Sequence, residues 1–239
     1  MNANDRNGAF PGAEETSDQA GRLESRPSGR IIDLTLTLRP GMRGVAFEPK
    51  FNFKEHGWNA QTLHLYSHCG THMDAPVHFG VGVDTIDTLA VDKLIGPAWV
   101  VNLCPIAPRA FIEVANVENA CKDLVAGDSL LLRTDWSKHY GRERYRDELP
   151  RVSEELAQWC VQKKVRMLGV EPPSVADVNN LQELTTIHRI LFEGGVIVVE
   201  GLANLSALTK PKVTFIALPL RIAAGDGAPA RAIAIEDDD

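Results

Sequence analysis

The run His68-Cys69-Gly70-Thr71-His72-Met73-Asp74-Ala75-Pro76-Val77-His78 places three histidines and one aspartate within eleven residues, in a chain that has only seven histidines. His68, His72, Asp74 and His78 all occupy even-numbered positions, so an extended backbone would direct their side chains to one face. A solvated strand or a hydrogen-bonded core histidine would explain any one of them, but not all four together. Because imidazole and carboxylate groups together suit zinc or manganese, the pattern indicates a metal site.

The spacing of these residues also constrains the backbone. In a straight strand, His68 and His72 would lie about 13 Å apart, at about 3.3 Å per residue. Two ligands of one ion each lie about 2 Å from it, so the chain must bend between them. Gly70 lies midway and can adopt backbone angles that are closed to other residues. Pro76 disfavours a regular helix, so the spacing predicts a bent strand end and not a helical metal motif.

Outward from this run, hydrophobic patterning predicts a chain of strands with a few helices. Alternation predicts strands over residues 31–37 and 61–67, and apolar runs predict buried strands over residues 98–103, 129–134, 165–170, 196–199, 213–218 and 232–235. Helices are predicted over residues 153–164, with Ser153 as the cap, and over residues 186–193. Residues 42–60 are irregular and suit a loop that covers something. The interleaving indicates a layered α/β or α+β domain.

Composition limits the classes of function. The 239 residues carry a net charge of −7, which argues against a nucleic-acid binder or a protein of anionic membranes. No apolar run reaches the roughly 20 residues of a membrane span, and the four cysteines form no CxxC pair. Residues 1–30 are polar and are expected to form a flexible extension to one domain over residues 31–239. We expect a cytoplasmic enzyme that acts on a small molecule, with neither nucleic acid nor membrane as partner.

The eleven-residue run closely resembles the HxGTHxDAPxH signature of the cyclase family, the metal-dependent hydrolases that include bacterial kynurenine formamidases and isatin hydrolases. Further segments that resemble the family follow in order, at residues 133–136, 169–174, 188–200, 202–205 and 218–220. The resemblance thus covers nearly everything from Ile31 to Ile235. It implies a single α/β domain of the swivelling β/β/α type with a mixed β-sheet core, assembled as a homodimer or homotetramer.

Carried over position by position, the resemblance implies one or two ions of Zn²⁺ or Mn²⁺ per chain. The ligands that it implies are His68, His72, Asp74, His188 and Glu200. Asp74 would bridge the two ions in a binuclear site, and His78 matches the proton-transferring histidine. The position of Glu200 agrees, because it follows the apolar strand 196–199 and a carboxylate there is costly to bury without a cation.

The substrate is less constrained than the metal site. Kynurenine formamidases carry a pocket tryptophan soon after the first strand, whereas residues 39–51 contain none, and one alternative is that Phe47 or Trp58 supplies the aromatic wall. Aromatic residues in a long loop more often pack as a small satellite core. Isatin hydrolases resemble the chain at residues 84–89 and 133–136, but Glu200 favours the formamidase metal set. The choice between the two stays open.

Three other features invite a functional interpretation. Cys69 could act as a nucleophile, but a small buried residue is expected, because its odd position faces away from His68 and His72. Gly225-Asp226-Gly227 is interpreted as a connecting turn. Arg133 and Asp135 could equally form a salt bridge at a strand end or belong to the pocket.

The hypothesis from the sequence is hydrolysis of a carbonyl–nitrogen bond, in a formamide or a lactam such as N-formylkynurenine or isatin. A metal-bound hydroxide would attack, and His78 would pass its proton to the leaving nitrogen. The alternatives are a ring-opening or ring-closing reaction on a lactone or polyketide at the same metals, and a metal-binding homologue without turnover. Retention of His78 argues against the last, because binding alone needs no proton transfer.

Overall fold

The computed structural model describes residues 29–237, in which one large sheet dominates. The strands within these residues are β1 (Gly29–Asp33), β2 (Val45–Phe51), β3 (Ala60–Leu65), β4 (His72–Asp74), β5 (Ile95–Asn102), β6 (Phe111–Ile112), β7 (Ser129–Arg133), β8 (Arg151–Val152), β9 (Met167–Val170), β10 (Ile197–Glu200), β11 (Lys212–Pro219) and β12 (Gly227–Asp237). The six buried strands predicted from apolar runs are thus confirmed. The predicted extension, residues 1–30, lies outside the described residues except for Gly29 and Arg30, which begin β1.

The helices are few and short. They are α1 (Phe53–His56), α2 (Val114–Val117), α3 (Glu143–Asp147), α4 (Glu154–Gln162) and α5 (Leu181–Glu193), with 3₁₀ turns at Pro76–Phe79, Val91–Leu94, Trp136–His139 and Leu205–Ala207. The longest, α5, has 13 residues, and no helix in residues 29–237 could cross a membrane.

Seven strands of the large sheet close into a barrel-like ring. The order is β1-β12-β11-β5-β7-β9-β10-β4, and β4 also pairs with β12. The neighbours β5, β7, β9 and β10 run parallel, whereas β4, β11 and β12 pair antiparallel with their neighbours. The expected α/β class with a mixed sheet is confirmed, while the swivelling β/β/α type stays a prediction. Closure of the ring places the short strand β4 between β10 and β12.

The two faces of the ring are both covered, as the apolar runs predicted. Successive side chains of a strand point to opposite faces, so Leu131 packs inside the ring while Leu130 and Leu132 pack outside. The inner cluster draws residues from all seven strands, among them Met73 and Phe215, both fully buried. The outer cluster is completed by residues of α4 and α5. This packing fixes the edge from which β4, β10 and α5 present polar side chains.

The helix predictions are confirmed with one change of length. Helix α4 begins after Ser153, whose side chain accepts a hydrogen bond from the Leu156 N–H as a cap does. Helix α5 begins at Leu181, five residues earlier than predicted, and ends before Gly194. Its start is set by Asn180, whose side chain accepts from the Glu183 N–H. The earlier start adds the turn that contains Leu184 to the wall above the polar edge.

The prediction of an irregular covering loop at residues 42–60 is wrong. Strands β2 and β3 form an antiparallel hairpin there, with α1 between them, and the hairpin stands apart from the large sheet. Pro49 and the charged residues of β2 obscure the alternation of a strand, and a two-stranded pair tolerates such a proline beside its irregular register. The predicted strand at residues 31–37 is also shorter than expected, since β1 ends at Asp33 and only a single bridge follows, at Thr35.

Candidate metal centre

The polar edge of the ring is built by pairing β4 with β10. His72 lies opposite Glu200 in the register of the two strands, and Asp74 lies opposite Gly227 of β12. The predicted bend before β4 is confirmed: Gly70 has a φ of 64°, and a Cβ there would lie 2.6 Å from the Leu38 side chain. The bend returns His68 to the same edge as His72.

Three of the predicted ligands form one cluster around a single carboxylate oxygen. Asp74 Oδ1 lies 2.7 Å from His68 Nδ1 and 3.6 Å from His72 Nε2. One donor atom from each of the three residues lies within 4.8 Å of the others, which is the geometry of a potential metal site. The sequence spacing of His68, His72 and Asp74 therefore corresponds to a real convergence.

A second cluster uses the other oxygen of the same aspartate. His188 Nε2 lies 3.6 Å from Asp74 Oδ2 and 3.3 Å from Glu200 Oε1. These three residues also bring donor atoms within 4.8 Å of one another, and all three are buried. His72 links the clusters, because its Nε2 is 3.2 Å from Glu200 Oε2. All five predicted ligands thus meet, with Asp74 between the two groups.

The hydrogen bonds of the histidines test whether a cation fits. His72 Nδ1 lies 3.0 Å from the Gly70 carbonyl and His188 Nδ1 lies 2.7 Å from the Leu184 carbonyl. A carbonyl only accepts hydrogen bonds, so each Nδ1 carries a proton, and in a neutral ring each Nε2 turns a lone pair toward the carboxylates. Lone pairs facing carboxylate oxygens repel unless a positive charge lies between them. The arrangement therefore fits a divalent cation bound by the Nε2 atoms, with the two backbone carbonyls holding the rings in place through Nδ1.

Protonation is the other way to supply that charge. Burial alone would lower the pKa of His72 and His188, but Glu200 and Asp74 outweigh it and raise the pKa of both rings. Burial is likewise outweighed at His68, where Asp74 and Asp226 raise the pKa to about 9. Although burial favours its neutral form, Glu200 has a pKa well below the usual range because of its two histidines. A metal ion would thus compete with protons for this site.

His78 lies beside the two clusters that share Asp74 and outside both of them, but with His68 and Asp226 it forms a third group whose donor atoms lie within 4.8 Å of one another. It belongs to the 3₁₀ turn Pro76–Phe79, and its ring stacks on His68 with centroids 3.9 Å apart. Burial lowers the pKa of His78, whereas at His68, His72 and His188 the carboxylates outweigh burial and raise the pKa. The Nδ1 of His78 lies 3.5 Å from Asp226 Oδ2. A neutral imidazole next to the ligands is the state that a proton acceptor requires.

A cavity of about 570 Å³ opens above these groups. Its apolar and aromatic wall comes from five segments of the chain, through Met42, Tyr66, Phe79, Tyr140, Tyr145, Val178 and Leu184. Neither Phe47 nor Trp58 lines it, so of the two interpretations of these aromatic residues the satellite core is supported and the aromatic wall is not. Trp58 instead stacks on Phe51 with ring centroids 4.4 Å apart, as a satellite pair. Tyr66 lies 74 residues before Tyr140 in sequence, and no motif marks these tyrosines.

Asp226 is the site residue that the sequence interpretation missed. Its Oδ2 lies 3.0 Å from His68 Nε2, so the Gly225-Asp226-Gly227 turn is more than a connector. The only sign in the sequence that this turn belongs to the site is that a carboxylate lies between two glycines, Gly225 and Gly227. Cys69 is buried, as expected, although it also lines the cavity, and Arg133 bonds Asp135 at 3.0 Å without lining the cavity.

Comparison with known proteins places these features in a family context. The Cyclase family model matches residues 32–177. A kynurenine formamidase from Bacillus cereus is 31% identical over 201 residues, covering 81% of this chain and 88% of that protein. One from Bacillus cytotoxicus is 32% identical over 195 residues with the same coverage. The solved structure of isatin hydrolase A from Labrenzia aggregata bound to benzyl benzoate aligns with a TM-score of 0.79 and 23% identity, covering 87% of this chain and 94% of that one.

Proposed function

Because the chain is a metal-dependent hydrolase of the cyclase family, we propose that it cleaves a carbonyl–nitrogen bond in a small aromatic substrate. The observation that carries the proposal is the convergence of two histidines and two carboxylates, all buried, at the floor of the cavity. A formamide of the N-formylkynurenine type is the favoured substrate, because kynurenine formamidases are among the relatives above 30% identity. A lactam of the isatin type is the second candidate, supported by the shared fold.

We propose that the two clusters hold Zn²⁺ or Mn²⁺. His68, His72 and Asp74 would hold one ion, and Asp74, His188 and Glu200 would hold the other. When bound, such ions supply Lewis-acid chemistry, lowering the pKa of a coordinated water and polarising a carbonyl. The donor set of imidazole nitrogens and carboxylate oxygens suits both metals.

The chain's own part in proton transfer falls to His78. The pKa of its ring is lowered by burial, so the neutral form prevails at neutral pH. His78 Nδ1 lies 3.5 Å from Asp226 Oδ2, and the proposed tautomer of the neutral ring carries its proton on Nδ1, which leaves Nε2 to accept. His78 Nε2 would take a proton from the attacking water and return it to the leaving nitrogen.

The cavity supports a small aromatic substrate. Its volume of about 570 Å³ lies within the range of pockets that bury most of a small ligand. Tyr66, Phe79 and Tyr140 provide ring faces against which an aromatic substrate can pack, and Phe79 is itself stacked on His188 at 4.2 Å. Packing against these walls would displace bulk water from the cavity and hold the carbonyl over the floor.

A substrate panel tests the proposal. Protein loaded with Zn²⁺ or Mn²⁺ is assayed with N-formylkynurenine, isatin and simple lactones, and hydrolysis is expected for the first or second. Turnover of lactones alone would favour the ring-opening alternative. Full metal loading without turnover of any of these substrates would overturn the proposal in favour of a binding protein.

A further inference from the structure

We propose that Asp226 is a positioning residue of the metal centre, which fixes the ring of His68 and aligns the ring of His78 with it. The inference rests on the proposed function, because it assigns His68 to metal binding. Asp226 lies on the turn before β12, 148 residues after His78 in sequence. Its carboxylate is about half exposed, whereas the ring that it contacts is nearly buried.

His68 uses its two ring nitrogens in the opposite sense to the other two ligand histidines. His72 and His188 turn Nε2 toward the carboxylates and anchor Nδ1 on backbone carbonyls. In contrast, His68 turns Nδ1 toward Asp74 and gives Nε2 to Asp226 Oδ2, at 3.0 Å. No backbone carbonyl among the described residues anchors this ring. A carboxylate in the outer position both selects the tautomer and makes the imidazole a stronger metal ligand.

The turn is built to bring this carboxylate close. A Cβ on Gly227 would lie 2.6 Å from His68 Cε1, so the backbone can approach the ring only with glycine there. A Cβ on Gly225 would lie 2.7 Å from the Ile86 side chain. The backbone carbonyls of Asp226 and Gly225 accept hydrogen bonds of 2.9 Å from the N–H groups of Ala75 and Ile86. These two hydrogen bonds attach the turn to the segment that follows β4 and hold it next to His68.

One oxygen of Asp226 serves both rings. Oδ2 is 3.0 Å from His68 Nε2 and 3.5 Å from His78 Nδ1, and the two rings stack with an angle of 27° between their planes. Sharing this oxygen holds the outer nitrogens of both rings on one side. The inner nitrogen of His68 then faces Asp74. Among residues 29–237, Nε2 of His78 has no hydrogen-bond partner. The ligand and the proton acceptor are therefore held in one arrangement by a single carboxylate.

The test measures metal binding without substrate. Purified protein is stripped with a chelator and titrated with Zn²⁺ against a competing chelator, for the wild type, Asp226→Asn and Asp226→Ala. Loss of an outer-sphere carboxylate is expected to weaken the affinity for one ion by about 10–100-fold. The visible absorption spectrum of the Co²⁺-loaded protein should also change, since the orientation of His68 changes. Thermal unfolding of the stripped variants checks that they fold.

A matched control separates the carboxylate from the turn that carries it. Asp87 Oδ1 accepts a hydrogen bond of 3.0 Å from the Ala224 N–H, so Asp87→Asn removes a carboxylate that steadies the same turn without touching a histidine. This variant is expected to bind Zn²⁺ as the wild type does. Equal affinity and an unchanged Co²⁺ spectrum in Asp226→Asn would overturn the inference. Failure of the wild type itself to bind any ion would instead refute the proposed function.

Discussion

His72 and Glu200 lie opposite each other in β4 and β10, with Nε2 of the histidine 3.2 Å from Oε2 of the glutamate. They are 128 residues apart in the chain, and they meet because closure of the ring inserts β4 beside β10. Glu200 is buried and also accepts a hydrogen bond of 2.8 Å from the Val175 N–H. A carboxylate so placed joins the two clusters of the centre into one.

Replacement of Glu200 by glutamine should remove one ion from the centre. Glutamine keeps the size and an oxygen that can accept from Val175, but it brings no negative charge to the cluster with Asp74 and His188. Metal content measured after saturation should fall by about one ion per chain relative to the wild type. The exposed Glu193→Gln, which only loses a pair with Arg189, should retain full content. Equal metal content in both variants would contradict the assignment of Glu200.

Replacement of His78 by alanine should separate proton transfer from metal binding. His78 belongs to neither of the two clusters that share Asp74, to which the ions are assigned, so metal content is expected to stay at the wild-type value while kcat falls by about 10²–10⁴-fold. His64→Ala serves as control, because that histidine pairs with Glu48 on the exposed face of the hairpin. Wild-type turnover in His78→Ala would remove the histidine from the mechanism.

The stability of chelator-stripped protein should fall as pH rises. The pKa of His68 is raised to about 9, and those of His72 and His188 are also raised, so protonation of these rings stabilises the folded chain. That stabilisation is complete below the unfolded pKa of about 6.5 and is lost as pH rises through the folded values. The Tm of stripped protein should therefore drop between pH 6.5 and 9, and saturating Zn²⁺ should largely remove the drop. A Tm that rises over this range without metal would contradict the expectation.

Binding of metal should release protons in the same pH range. Each ion must displace protons from rings whose pKa values the carboxylates raise. Calorimetric titrations at pH 7.5 in two buffers of different ionisation enthalpy should give different apparent heats, with at least one proton released per ion. Identical heats in the two buffers would show that the rings were already deprotonated.

The aromatic wall should control KM. Tyr140 lines the cavity, so Tyr140→Ala is expected to raise KM for an aromatic substrate by up to about tenfold, the contribution of one aromatic contact. Trp58→Ala is the matched control, since Trp58 stacks on Phe51 away from the cavity. A larger rise in KM from Trp58→Ala than from Tyr140→Ala would place the substrate elsewhere.

The sequence predicted the local parts of this site because their causes are local. The bend at Gly70, the cap at Ser153 and the two-sided burial of strand β7 each follow from a few neighbouring residues. The strand predicted over residues 61–67 is β3, but its partner β2 was missed because Pro49 and charged side chains obscure the alternation of that strand.

The parts that the sequence did not predict depend on contacts between distant segments. Asp226 reaches His68 because β12 pairs with β4, and Tyr140 reaches the cavity through the segment before α3. Neither follows from spacing along the chain. The roles of His188 and Glu200 came from family resemblance, and their approach to Asp74 depends on the closure of the ring.

The metal content of the wild-type chain tests the central claim most directly. Protein purified without added metal, then reconstituted with Zn²⁺ or Mn²⁺ and freed of excess, is measured by elemental analysis per chain. We expect at least one transition-metal ion as purified and two at saturation, with a loss in the Asp74→Asn variant, whose side chain contacts both clusters. Less than one ion per chain after reconstitution would contradict the account.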